Sequence, residues 1–323
     1  MENQNKQVSV GPLESIGKVA LLVGSRDKAL SFIDLLEVLK KKSIAIKIIE
    51  VLDEGLSLLD KSIWQDVSRV FIAITEEHNL SFGHIQGLLD ILCLEYTGCG
   101  MLTAALAVDI IKSKKIWQLM GIATTPFIKW RANVDWQEMI GLIGFPVAIK
   151  SICANDKRVF KVQHMEKLQS VSQNFKNLND IIIEPWVTGD EYIIYIIDEQ
   201  ALLPLKISNF FITEAILPNK KSSNKKDNKE NIELLNITKM QKLALSAFKA
   251  IGGSGFASVN ILKDLNGDCW VLSVNTSPLM TRNSTFATAA HNSGINFEML
   301  VEKILATSFV KKVNYNKFSI LNK

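Results

Sequence analysis

The stretch Gly255–Ser284, GFASVNILKDLNGDCWVLSVNTSPLMTRNS, limits the possible folds more than any other part of the chain. Ala257, Val259 and Ile261 alternate with Ser258, Asn260 and Leu262, the period of a strand. Asn266-Gly267 is a two-residue turn signal, and Trp270 to Val274 supplies the returning strand. The hairpin runs straight into Asn275-Thr276-Ser277-Pro278, an irregular polar stop. Polar side chains where strands end are where α/β enzymes usually place their chemistry.

Upstream, strand and helix signals alternate. Lys18–Gly24 is a short apolar run ending in glycine, as in a buried parallel strand. Leu30, Ile33, Leu35, Leu36 and Leu39 follow the 3.6-residue period and predict a helix over Asp27–Lys42. Strands are expected at Ile44–Val51 and Arg69–Ile74, and a short helix at His84–Leu94. This order predicts an α/β fold with an N-terminal open parallel sheet. Beyond it, one helix is expected over Gly98–Met120, closed by Gly121, and a strand over Gly144–Lys150. Further strands are expected at Asp180–Val187 and Leu202–Ile207, and helices at Ile237–Gly252 and His291–Ala306. Phe210–Asn231, with its KKSSNKKDNKE run, reads as a mobile charged loop, residues 1–16 as a frayed terminus, and Thr307–Lys323 as a basic extension.

The 323 residues, 47% hydrophobic, suffice for two or three domains with real cores. The net charge of +4 sits in solvated lysine patches, which argues against a nucleic-acid partner. No apolar run approaches the ~18 residues of a membrane span, and the N-terminus lacks a signal-peptide core. With Cys93, Cys99, Cys153 and Cys269 scattered and without metal spacing, a cytoplasmic location is expected. The four histidines show no catalytic spacing, and the six tryptophans read as core.

The hairpin segment resembles the C-terminal signature of the D-alanine–D-alanine ligase family, in the ATP-grasp superfamily. The family frame is G-x-x-R-x-D, a hairpin, then E-x-N-T-x-P-G-M-T-x-x-S. Asn275, Thr276, Pro278, Met280, Thr281 and Ser284 match it. Ser258 stands where the family has arginine, and Asn260 and Ser273 stand where it has metal-binding carboxylates. Tyr96-Thr97-Gly98-Cys99-Gly100 and Ala104–Asp109 also match, but the family's ATP-binding lysine that follows is Ile110. Lys112, Lys114 and Lys115 lie nearby and are expected to face elsewhere. The first loop, Gly24–Ser31, lacks a clear counterpart to the family glutamate, and Thr75–Gly87 keeps only the tail of its motif. Ser151–Phe160 has no glycine where the family has a glycine loop over the phosphates.

The resemblance spans about residues 17–308 and implies a three-domain ATP-grasp architecture. The implied domains are an N-terminal α/β substrate domain at 17–102, a central domain at 103–184 and a C-terminal domain at 185–308, followed by a basic tail at 309–323. It implies that Lys150 meets nucleotide phosphates, that Glu184 and Trp186 mark the adenine site, where backbone atoms read the adenine edge, and that Glu191 holds the ribose. Ser284 would contact the substrate carboxylate, and Asn275 is the one metal ligand retained. The implied reaction is ATP-dependent joining of two D-alanines through an acyl-phosphate for peptidoglycan, in a homodimer. ATP is the implied cofactor, whereas Mg²⁺ loses its carboxylates. At an effective dielectric of about 20, each unit charge lost at ~4 Å removes on the order of 4 kcal/mol of gross Coulomb energy. The expectation is a ligase-like protein with weak or no ligase activity and no confident catalytic residue. Two alternatives stand beside it: a divergent working ligase using Asp264 or Asp268, and a non-enzymatic nucleotide-binding scaffold. From the residues alone, Lys150 also reads as a strand-end surface lysine, Glu184 and Glu191 as solvated carboxylates, Asn275 as a turn former and Ser284 as a helix cap.

Overall fold

The computed structural model describes residues 17–24, 32–51, 58–74, 83–130, 136–152, 158–172, 174, 181–208, 211–215 and 227–309. The readings for 1–16, the first loop at 25–31, the motif head at 75–82, the glycine-free segment at 153–157, the charged run at 216–226 and the tail at 310–323 lie outside them.

The first sheet is parallel, as the strand–helix alternation predicts. It contains β1 (Lys18–Val23), β2 (Ile46–Glu50), β3 (Val67–Ile72) and β4 (Glu95–Tyr96), in the order β2-β1-β3-β4. Helices α1 (Ile33–Lys41) and α2 (His84–Ile91) accompany it. From Val19 to Val23 β1 is apolar and buried because both its faces are covered. Val19 and Leu21 pack with Leu35, Val38 and Leu39 of α1, while Ala20 and Leu22 pack with Val70, Leu89 and Tyr96.

The single helix expected over Gly98–Met120 is two helices, α3 (Met101–Val108) and α4 (Ile110–Leu119). Asp109 leaves the helical region at φ −82° and ψ 83°, and its carboxylate accepts the Lys112 backbone N–H. An aspartate inside an apolar run can compete for backbone donors and start a new helix, which periodicity does not register.

The central sheet is antiparallel, with β5 (Ile128–Lys129), β6 (Val147–Ser151), β7 (Val159–Val162) and β8 (Ile181–Pro185) in the order β5-β8-β6-β7. Helices α5 (Trp136–Ile143) and α6 (Met165–Ser172) lie in the same stretch of chain. Val147, Ile149, Val162, Leu168, Ile181 and Ile183 give this sheet a core of its own.

The large sheet holds β9 (Gly189–Ile197), β10 (Gln200–Ala201), β11 (Leu205–Ser208), β12 (Phe211–Ala215), β13 (Phe256–Asp264) and β14 (Cys269–Asn275). Its order is β12-β11-β9-β13-β14, with β10 paired to β9. The stretch read as a charged loop therefore contains β12, and helix α7 (Asp227–Ala250) begins at Asp227 instead of Ile237. The added residues begin with the polar run DNKEN, and Ile232, Leu234 and Leu235 set up no clear apolar period, but Lys, Glu and Leu favour helix. The last expected helix is also two, α8 (Thr285–Asn292) and α9 (Phe297–Ala306). His291 lies in the last turn of α8, and Asn296 caps α9 by accepting the Met299 N–H.

Ala257, Val259 and Ile261 pack with Met240, Ala244 and Phe248 of α7 and with Trp117 of α4, so one face of the large sheet is core. Gly98 and Gly255 cross at the edge of this layer. A Cβ on Gly255 would lie 2.5 Å from the Gly98 carbonyl oxygen, and the two residues have φ of +78° and +87° respectively. Glycine suits both positions because L side chains disfavour that backbone region and the gap holds no carbon. Among the described residues no helix is long and apolar enough to cross a membrane.

Candidate functional site

The opposite face of the large sheet and the central sheet enclose a cleft of about 1410 Å³. Its central-sheet wall carries Lys150 of β6 and Glu184 of β8. Ala148 lies opposite Glu184 and Lys150 opposite Ile182, so Lys150 and Glu184 are diagonal neighbours on one face. Lys150 Nζ pairs with Glu184 Oε2, and Lys114 Nζ lies 2.8 Å from Glu184 Oε1. The Lys114 side chain is 0% exposed and that of Glu184 2%, whereas Lys150 keeps 24% exposure. Lys114 also donates to Thr124 Oγ1 at 2.7 Å and to Thr125 O and Oγ1 at 2.9 Å each. Thr124 Oγ1 in turn donates to Val271 O of β14 at 2.7 Å.

This corrects the expectation that Lys114 faces elsewhere. Ile110, which lines the cleft, and Lys114 are one turn apart on α4, so they share a face. Glu184 is likewise not a solvated carboxylate. Burial pushes its carboxyl up, but Lys150 and Lys114 outweigh burial and hold it below the ordinary carboxylate value. Burial pushes the Lys114 ammonium down, and Glu184 restores part of the shift.

The hairpin wall is different in kind. Ser258 lies opposite Asn275 and Asn260 opposite Ser273, placing these four uncharged groups together on the cleft face. A register shift follows Asn260, with Leu272 the extra residue before Ile261 pairs with Val271. Such a bulge increases local twist and re-aims its neighbours. Asn275 Oδ1 accepts the Ser277 N–H at 2.6 Å, the turn-forming bond considered for it. Among the described residues, no three His, Cys, Asp or Glu side chains gather to hold a metal ion. Amide and hydroxyl groups without carboxylates are a poor donor set for Mg²⁺, so the residues present do not fit that ion.

Trp186 and Glu191 line the same cleft. The Trp186 backbone N–H donates to Pro146 O at 2.8 Å, and Lys161 Nζ lies 4.9 Å from its ring centroid. Glu191 of β9 is exposed and lies opposite Leu262 of β13. Ser284 is buried as the N-cap of α8. Its Oγ donates to Thr281 O at 2.7 Å and accepts the Ala287 N–H at 3.2 Å. Asp264 sits at the turn end of the hairpin, accepting the Asn266 and Asp268 N–H groups and Trp270 Nε1–H. Six residues of strand separate it from Ser258, about 20 Å. Of the tryptophans, Trp64, Trp117 and Trp130 are core, and Trp186 instead faces the cleft. Sequence reasoning missed Lys114, Thr124 and Thr125. The four-residue step from Ile110 was the one signal for Lys114.

A family model described as the D-ala D-ala ligase C-terminus matches residues 116–306. The D-alanine–D-alanine ligase of Psychrobacter sp. (strain PRwf-1) is 31% identical over 306 residues, covering 90% of this chain and 89% of the relative. That of Nitrosomonas eutropha is 30% identical over 307 residues, covering 92% and 98%. The crystal structure of the Bacillus anthracis D-alanine–D-alanine ligase complexed with ATP superposes with a TM-score of 0.73. The sequence identity is 25%, over 91% of this chain and 97% of that one.

Proposed function

The chain belongs to the D-alanine–D-alanine ligase family, and from that premise we propose that it keeps a nucleotide cleft while having little or no ligase activity. The observation that carries this reading is the neutral hairpin wall of Ser258, Asn260, Ser273 and Asn275. A divalent cation bridging phosphates needs hard anionic oxygens, and a developing oxyanion needs a cation or aimed donors. That wall has no charge of either sign. The donor set therefore speaks against a Mg²⁺-dependent transfer at this place, with Asn275 the single ligand type retained.

The rest of the cleft fits ATP. Lys150 offers a cation to phosphate, Trp186 and the backbone beside Glu184 flank an adenine, and Glu191 offers acceptors to ribose hydroxyls. When bound, ATP would supply a phosphoryl donor, and the residues here bind and orient it. Ser284 remains the proposed contact for a D-alanine carboxylate. We assign the substrate, central and C-terminal domains to 17–102, 103–184 and 185–308, and propose a cytoplasmic homodimer.

The runner-up, a divergent working ligase, needs Asp264 or Asp268 at the metal. The register that puts Asp264 about 20 Å from Ser258 weighs against it. A non-enzymatic nucleotide-binding scaffold is favoured over it by the intact cationic wall. The deciding experiment measures ATP affinity by calorimetry with and without Mg²⁺, alongside ADP release with D-alanine. Binding that ignores Mg²⁺, with no D-alanine-dependent ADP release, is expected. Normal turnover sinks the reading.

A further inference from the structure

We propose that Lys114 is a positioning residue that sets the charge of the cleft: by sharing Glu184 from behind, it leaves the paired Lys150 ammonium only partly neutralised and so able to attract an anionic ligand. This rests on reading the cleft as a nucleotide site. Glu184 presents one oxygen to each lysine, and its side chain is 2% exposed, so a ligand meets Lys150 and not the carboxylate. The charged residues lining the cleft among those described are Lys150, Arg158, Glu184 and Glu191, two of each sign. Lys114, buried behind Glu184, tips that balance to positive. Without it, Glu184 would belong wholly to Lys150, and the exposed ammonium would be matched before any phosphate arrived. A buried charge acts on such a cleft through protein, where Coulomb interactions are screened less than in water.

Lys114 also ties the walls together. Through Thr124 it reaches Val271 of β14, and through Glu184 it reaches β8. A purely structural tie predicts that breaking it from either end has the same effect on binding. A charge-setting role predicts opposite effects. Glu184→Gln leaves Lys114 buried without its counter-charge, and Lys114→Met leaves Glu184 buried with one of its two cations, so both lower thermal stability. Yet Lys114→Met removes a positive charge from beneath the cleft, and Glu184→Gln removes a negative one.

The test is calorimetry with metal-free ATP and with adenosine, which carries no phosphate, on the natural chain and both variants. Lys114→Met is expected to weaken ATP binding about tenfold with adenosine binding unchanged, and Glu184→Gln to tighten ATP binding by a similar factor. The double variant removes the pair together and is expected to fold and to bind ATP nearly as the natural chain does, which keeps the test usable if a single variant fails to fold. The proposal falls if the natural chain binds ATP and the two single variants move its affinity in the same direction or not at all. It also falls if adenosine affinity drops along with ATP affinity in Lys114→Met, or if the double variant loses ATP binding. If the natural chain binds neither ATP nor adenosine, the nucleotide reading itself is gone, and this inference goes with it.

Discussion

On the central-sheet wall of the cleft, two lysines and a glutamate are packed into one ion cluster. On the hairpin wall, two asparagines and two serines occupy the matching face. Both walls are antiparallel strands, and both direct polar side chains at the same space. They differ in which task their chemistry supports. Holding a polyphosphate needs positive charge, which Lys150 supplies. Moving a phosphoryl group needs charge stabilised as it develops, which the hairpin cannot supply. On the proposed reading, the groups for binding and the groups for reaction reside on separate strands, so one set can change without the other.

The contrast is open to attack from either wall. The largest expected effect lies in turnover: D-alanine-dependent ADP release should fall at least ~10²-fold below that of the Psychrobacter relative, a single missing oxyanion donor already costing about that much. Installing Asn260→Asp with Ser273→Glu should make ATP binding depend on Mg²⁺, by about tenfold or more in calorimetry, and an unchanged affinity would show that the hairpin is not the missing metal wall. Next comes the charged wall. Glu184→Gln should lower unfolding stability by about 3–5 kcal/mol in denaturant titration, the usual cost of leaving one charge of a buried pair, here Lys114, without its counter-charge. A loss under 1 kcal/mol would mean that the cluster is not tightly held.

A smaller effect should appear with pH. The Glu184 carboxyl is held below the ordinary value despite burial, so the unfolded chain takes up that proton first as pH falls. Its contribution is complete above the ordinary glutamate value and disappears as pH drops through the lowered one. The thermal unfolding midpoint of the natural chain should fall as pH drops across that acid window, and Glu184→Gln should flatten the fall. The smallest effect belongs to neither wall. Ser284→Ala removes the cap of α8 and should cost about 1 kcal/mol, read from the shift in denaturation midpoint.

What could be read from the sequence was local or framed by motif. The hairpin announced itself through a two-residue period and Asn266-Gly267, and β1 through an unbroken apolar run. The loss of charge at Ser258, Asn260 and Ser273 was readable because the residues around them keep the family frame. The break at Asp109 was not, since one capping side chain interrupts an otherwise continuous helical pattern. The start of α7 was hidden because it begins with a polar run. The ion cluster was hidden for a deeper reason. Lys114 and Glu184 meet only through tertiary packing, and no local period relates a helix lysine to a carboxylate on a strand of another sheet.

The large sheet and the first sheet share one apolar core, to which Tyr195, Ile197 and Phe256 contribute alongside Val19, Leu21 and Phe71; the central sheet keeps a separate core. Mechanically the protein is an anvil with one lighter jaw. The buried contact between Lys114 and Glu184 spans the two parts. A pair of fluorophores, one on each part, would show whether their separation changes when ATP is added.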